Sequence, residues 1–298
     1  MKTIVSISLG SSLRDHEAMT TILDQQVQIR RIGVDGDFKR ARELFLELDG
    51  QVDAFGMGGC EFGINFDGRY YPLRSVAPLI AGLKTPVVDG SGVRSVVERG
   101  MARFLLDNIE EVAGAKSVFF CVAAARYDLV LGFHEAGFEM KFGDPGFILG
   151  LPVTSKSFWL ARTAGRIFIP WVVRAPFSWL YPTGKKQLEN KPRFRPWFKW
   201  AHVIADDFHY IKRHLPEKAM GKIIVTNTTT AADQQMLRER GVKYLVTSTP
   251  MMNGRTFGTN VLEAAITAAS GHRRRLSSAE VESAISEMGF QPQIIKLN

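Results

Sequence analysis

Apolar positions along the first ninety residues alternate between two periods. Thr3–Leu9 is a short run rich in Ile and Val, and Gln28–Gly33 is a second extended run; both read as β-strands. Asp35, Gly36 and Asp37 then break the pattern. Phe38, Ala41, Leu44, Phe45 and Leu48 follow at helical spacing, with Asp37 placed to cap the helix by accepting from a first-turn N–H. Val52–Met57 and Thr85–Asp89 are further strands, and Arg94–Ile109 a further helix. Strands that alternate with helices at this spacing predict a largely parallel sheet covered by helices.

The same rhythm restarts at Lys116–Val122, with a helix over 126–136 and a strand over 138–142. After an interruption it resumes with a strand at Lys222–Thr226, a helix over 231–240 and a strand at Tyr244–Thr247. A helix over 260–270 begins at Asn260, a residue suited to capping. Ser277 and Glu280 have the spacing of a capping box for a last helix ending near Met288. The expected fold is therefore α/β and Rossmann-like, with mostly parallel sheets flanked by helices. Residues 1–112 form an N-terminal half and 113–298 a C-terminal half.

Segment 151–215 departs from this pattern. It holds all five tryptophans and six prolines, among them Pro170, Pro176, Pro182, Pro192 and Pro196, which argue against a long uninterrupted helix. An inserted aromatic and basic lobe is expected there. The formal net charge of +8 is uneven, with clusters in 185–218 and at Arg273, Arg274 and Arg275. Such a distribution suits an anionic small molecule, a nucleic acid or an acidic membrane surface, and equally a solvated face. No recognised nucleic-acid module is present. A homodimer contact or ligand lid is the first expectation for the lobe, and peripheral membrane contact a lesser one.

Cys60 and Cys121, the only cysteines, make no disulfide framework but could form one bridge. The first ten residues read as a strand and not as a signal peptide, and no apolar run reaches membrane-spanning length, so a cytoplasmic protein is expected. His202, His209 and His214 give no metal constellation, and no metal is expected.

Candidate chemistry gathers where strands end in small polar residues. Asn227, Thr228, Thr229 and Thr230 follow an apolar run and precede a helix, the place where free backbone N–H groups and hydroxyls hold an anion. Gly90, Ser91 and Gly92 occupy the same position in the first half. Both loops are candidates for cofactor phosphates. Arg255 supplies a guanidinium fork for a carboxylate, with Asn260 beside it. Asp89, Asp144 and His209 are candidate proton-handling groups, although Asp89 also suits a helix cap and Asp144 opens a strong Asp-Pro-Gly turn. Gly56, Gly58, Gly59 and Gly63 superficially resemble a dinucleotide glycine motif, with the wrong spacing; residues 65–72 read as a turn between short extended pieces. Arg94 stands in a helical first turn, where a cation gains nothing from the dipole, so an anionic partner would explain it.

The stretches Pro86–Gly92, Tyr181–Gly184, Asp207–Ile211, Thr226–Thr230 and Gly254–Asn260 together resemble a little-characterised bacterial family labelled quinate 5-dehydrogenases, over nearly the full chain. That resemblance implies NAD- or NADP-linked oxidation of a ring hydroxyl on a small polyhydroxylated carboxylic acid. The lysine–aspartate pair of authentic quinate and shikimate dehydrogenases finds no residue-by-residue match here. The alternative is a non-catalytic protein that binds a nucleotide or an anionic metabolite between its two halves.

Overall fold

A computed structural model describes residues 1–148, 150–176, 190–249, 251–252, 255–256 and 258–298. The first sheet holds β1 (Lys2–Ser8), β2 (His16–Ile22), β3 (Gln25–Gly33), β4 (Ala54–Gly58) and β7 (Val87–Val88). Its order is β2-β3-β1-β4-β7, parallel throughout except for β2. The central strand β1 buries Ile4, Val5 and Ile7, as a strand covered on both faces must. Helix α1 (Phe38–Leu48) begins where the sequence places it, with Asp37 accepting from the Arg40 N–H at 2.9 Å. Its Phe45 meets Phe55 of β4 edge-to-face at 5.1 Å.

Between β4 and β7 the chain makes an antiparallel hairpin, β5 (Gly63–Phe66) and β6 (Arg69–Pro72). Asp67 and Gly68 form its tip with φ of 53° and 74°, the left-handed pair that a two-residue hairpin turn requires. The second sheet holds β8 (Ser117–Phe120), β9 (Glu139–Phe142), β10 (Val203–Ala205), β11 (Ile223–Thr226), β12 (Tyr244–Thr247) and β15 (Gln293–Lys296). Its order is β15-β12-β11-β10-β8-β9, with only β15 antiparallel. Two short strands, β13 (Met251–Met252) and β14 (Arg255–Thr256), pair separately. The fold is α/β, with mostly parallel sheets flanked by helices.

Helix α2 (Ser91–Asn108) carries the chain from the first sheet toward the second and packs against α3 (Tyr127–Glu135). The strands divide between the sheets near residue 112, but the helices do not follow that division. Past α4 (Phe158–Val172), α5 (Phe208–His214) and α6 (Ala231–Glu239), the chain returns with α7 (Thr259–Ala269) to the first sheet, against β4, β1 and β3. Residues 261–268 of α7 are all buried, apolar except for Glu263 and Thr267, as suits a helix covered on most of its circumference. The outer layer comes from α2 and α8 (Ser278–Glu287), whose Ser277–Glu280 capping box forms as expected.

The lobe expected over 151–215 is only partly separate. Its end supplies β10, an interior strand of the second sheet, flanked by His202 and Asp206. Despite its prolines the lobe contains the 15-residue α4. Pro170 falls in the last turn, where little of the helix remains to be broken. Cys60 and Cys121 are buried free thiols and form no bridge.

Candidate functional site

Two sets of charged side chains tie helix α2 to the strand ends of the two sheets. Glu98 on α2 pairs with Arg126, which lies between β8 and α3. Arg126 also donates to Asp207, just after β10, at 2.6 Å. Asn227, just after β11, donates its amide to the same carboxylate at 2.9 Å. The Thr249 hydroxyl, beyond β12, donates to the Asn227 carbonyl at 3.2 Å. On the other side Arg94 pairs with Glu61, which follows β4. This is the anionic partner that the first-turn arginine calls for, and it belongs to the chain itself.

Glu61, Ile64, Asn65, Ser91, Arg94, Glu98, Arg126 and Asp128 line the resulting crevice, with an enclosed space of about 10 Å³, room for roughly one water. Arg126 and Glu98 are each 5 % exposed and Asp207 26 %. Burial raises the Glu98 carboxyl, opposed by Arg126 and Arg94. Burial also pushes Asp207 upward, but the charge and hydrogen bond of Arg126, together with His209 and its backbone N–H, outweigh it and hold the carboxyl below its ordinary value.

Two of the three sequence-chosen proton carriers hold backbone. Asp89, at the end of β7, accepts from Phe62 N at 2.7 Å and from the Ser91 amide and hydroxyl at 3.0 and 2.6 Å. Asp144, beyond β9, accepts from Ala123 and Ala124 at 3.1 and 3.0 Å, and burial raises its carboxyl. Asp206, beyond β10, completes the set. It accepts from Val122 and Asp207 N–H groups at 2.6 and 2.7 Å, and burial pushes it up to about 8. Each carboxylate thus ties the loop of one strand to its neighbour. His209 is exposed, and its backbone N–H donates to Asp207.

The glycine-rich loop at 90–92 is satisfied from within. Glu263 of α7 accepts from Gly92 N at 2.8 Å and Val93 N at 3.3 Å. Arg275 then joins Asp89, Ser91 and Glu263, so this member of the basic run is an internal brace. Gly90 has φ of 84°, and a Cβ there would overlap the Asn260 amide nitrogen and the Thr259 hydroxyl. The glycines of β4 serve the same close approach: a Cβ on Gly56 would meet the Asn260 carbonyl at 2.8 Å. Asn260 does not cap α7, whose N-cap is Gly258; its amide donates to Ser6 at 2.9 Å. The residues at 90–92 therefore do not fit a dinucleotide pyrophosphate, because α7 fills the space and Glu263 takes the amides.

The second loop is also closed at its helix. Thr230 caps α6 in a capping box with Asp233, and Thr229 accepts from Gln234 at 3.4 Å. Asn227 faces Asp207, while the Thr228 hydroxyl has no hydrogen-bond partner among the described residues. No hydrogen bond among the described residues joins the 227–230 loop to Asn260. Arg255 pairs through its backbone with Met252 in the β13–β14 hairpin, and its side chain lies outside what is described. Asn253, Gly254, Phe257, Trp179 and Tyr181–Gly184 also lie outside the described residues. Arg126 and Asp128 were legible only as charges inside an otherwise apolar stretch, Val118–Phe133.

Two family profiles match the chain, one described as a domain of unknown function (DUF8753) over residues 3–89, the other as a domain of unknown function (DUF8754) over residues 92–297. They meet where β7 ends. No protein of curated function matches in sequence. Among solved structures, a Mycobacterium smegmatis protein in complex with β-D-fucofuranose has a TM-score of 0.33 at 10 % identity, covering 97 % of this chain and 96 % of that one. The NAD-dependent malic enzyme of Thermotoga maritima has 0.34 at 12 %, covering 95 % and 84 %. The periplasmic ribose ABC transporter protein of Conexibacter woesei has 0.38 at 10 %, covering 96 % and 94 %.

Proposed function

The chain belongs to the family of the domain of unknown function DUF8754, and we propose that it binds a small polyhydroxylated molecule in the crevice between its two sheets. The carrying observation is the lining itself. Arg94 and Arg126 stand among Glu61, Glu98 and Asp128, with Asn65 and Ser91 beside them. Three carboxylates against two guanidiniums give no surplus positive charge to attract an anion. They do give donors and acceptors in alternation, and each ring hydroxyl both donates and accepts. The crevice also lies outside the carboxyl ends of parallel strands, where ligands bind in open α/β sheets.

The present enclosed space is far below the size of a sugar ring, so the ligand enters when the halves separate. Three crossings join the halves: α2, the passage from β12 to α7, and the passage from α8 to β15. Opening parts Arg126 from Glu98 or Asp207, and ligand hydroxyls then take over the freed hydrogen bonds.

Thermal-shift and calorimetric titrations of the full chain with neutral sugars, cyclitols, quinate, NAD+ and NADP+ test this reading. A neutral polyol at 100 times its Kd is expected to stabilise the fold by about 2.7 kcal/mol. Asp128→Asn and Asn65→Ala should each weaken binding at least tenfold with little change in melting temperature. Stabilisation by nucleotide or carboxylate alone, or polyol binding unaffected in both variants, overturns it.

A further inference from the structure

Helix α4 presents an apolar face that the rest of the described fold leaves uncovered. Phe158, Gly165 and Ile169 are buried on one side, where Gly165 leaves room for the Phe66 ring of the β5–β6 hairpin. On the other side Leu160, Ile167, Phe168 and Trp171 recur at helical spacing. These four and Trp159 are between 57 % and 69 % exposed. Ile148, Leu151 and Val153, just ahead of the helix, are about half exposed as well. Isolated apolar side chains on a surface need no explanation, but a contiguous stripe does.

Charge distinguishes the possible occupants. Between Pro145 and Ala205 the chain holds ten of its 38 Lys and Arg and one of its 30 Asp and Glu. A molecule of net charge +8 therefore carries +9 in this stretch and −1 elsewhere. Arg166 and Arg174 are exposed beside the stripe, and Arg174 lies 5.6 Å from the Trp171 ring. Arg193, Arg195 and Lys199 are exposed in the same lobe. Asp67 and Glu139 offset part of this charge, through Arg162, Arg166 and Lys156.

We propose that α4 lies flat on an anionic membrane surface, its Leu160–Trp171 stripe in the headgroup boundary and its arginines on the lipid phosphates. Tryptophan suits that depth, since its ring is apolar and its N–H stays wet. An apolar stripe edged by Lys and Arg is the pattern of an interfacial helix. No helix among the described residues is long and apolar enough to cross a membrane, so contact is with one face only. A second copy of the chain fits worse, because symmetric pairing would bring two basic lobes together. Single-stranded nucleic acid fits worse too, since Leu160 and Ile167 offer no ring for a base to stack on.

Co-sedimentation of the full chain with vesicles tests the proposal independently of the crevice. Vesicles of phosphatidylcholine with phosphatidylglycerol should bind at least tenfold better than phosphatidylcholine alone, and added salt should weaken the binding. Phe168→Glu and Ile167→Glu, at exposed positions, should each lower partitioning at least tenfold while the melting temperature holds. Tryptophan fluorescence should shift to shorter wavelength on vesicle addition. Absence of binding to anionic vesicles at low salt overturns the proposal, as does binding unaffected in both variants. A dimer dissolved by Phe168→Glu without vesicle binding assigns the stripe to a second copy, and retention of single-stranded RNA in its place assigns it to nucleic acid.

Discussion

Arg126 and Asp207 lie 2.6 Å apart although 81 residues separate them. With Glu98 as the other partner of the guanidinium, this contact ties the helix that leaves the first sheet to the strand ends of the second. Removing the cation would strand two carboxylates in a poorly solvated place. Arg126→Gln is expected to cost about 3–5 kcal/mol, the range for breaking one side of a buried ion pair. Urea unfolding measures it, and a loss below about 1 kcal/mol would mean that the halves are held together elsewhere.

The N-terminus of α2 depends on a glycine in a way its middle does not. Gly90→Ala places a methyl on the Asn260 amide and forces a left-handed backbone on an alanine, so the fold should lose more than about 1–2 kcal/mol. Gly100 lies within the same helix with open space around it. Gly100→Ala should stabilise by roughly 0.5–1 kcal/mol. Paired thermal denaturation of the two variants checks the contrast, and equal effects would show that α7 does not press on Gly90.

Asp206 gives the stability a pH dependence of known sign. Burial raises its folded pKa to about 8 from 3.8, so the folded state prefers the proton. Its contribution is fully present below about pH 4 and is lost as pH rises through 8. Asp206→Asn cannot titrate, and its stability relative to the parent should increase between pH 5 and pH 8. Urea melts at both pH values measure the difference. A constant difference would place the titration elsewhere.

Glu263 occupies amides that would otherwise face an anion. Glu263→Gln keeps one acceptor oxygen but loses the charge that faces Arg275, and should destabilise by about 1–3 kcal/mol. With the carboxylate gone, millimolar inorganic phosphate should stabilise the variant and leave the parent unchanged. Equal stabilisation of both by phosphate would show that the amides of 92–93 are not what Glu263 guards.

Local signals read well wherever they were self-contained. The Asp37 cap, the Ser277–Glu280 capping box and the strand at Tyr244–Thr247 appear where the residues themselves require them. Strand β10 was hidden because it is three residues long and follows a proline- and tryptophan-rich stretch. Helix α4 was underestimated because a proline count says nothing about where in the helix the proline falls.

Periodicity and capping chemistry act over a few residues, so the order of elements and the α/β class follow from the chain read in sequence. What each polar side chain faces is a matter of long-range packing. The amides of Gly92 and Val93 meet Glu263 only because α7 returns to the first sheet 170 residues later. Asp89 and Asp144 look alike to a catalytic base in sequence, and become ties between loops only once neighbouring strands are in register. Arg126 carries no local mark of its role, which exists only because residues 81 positions apart in sequence are brought together in the fold.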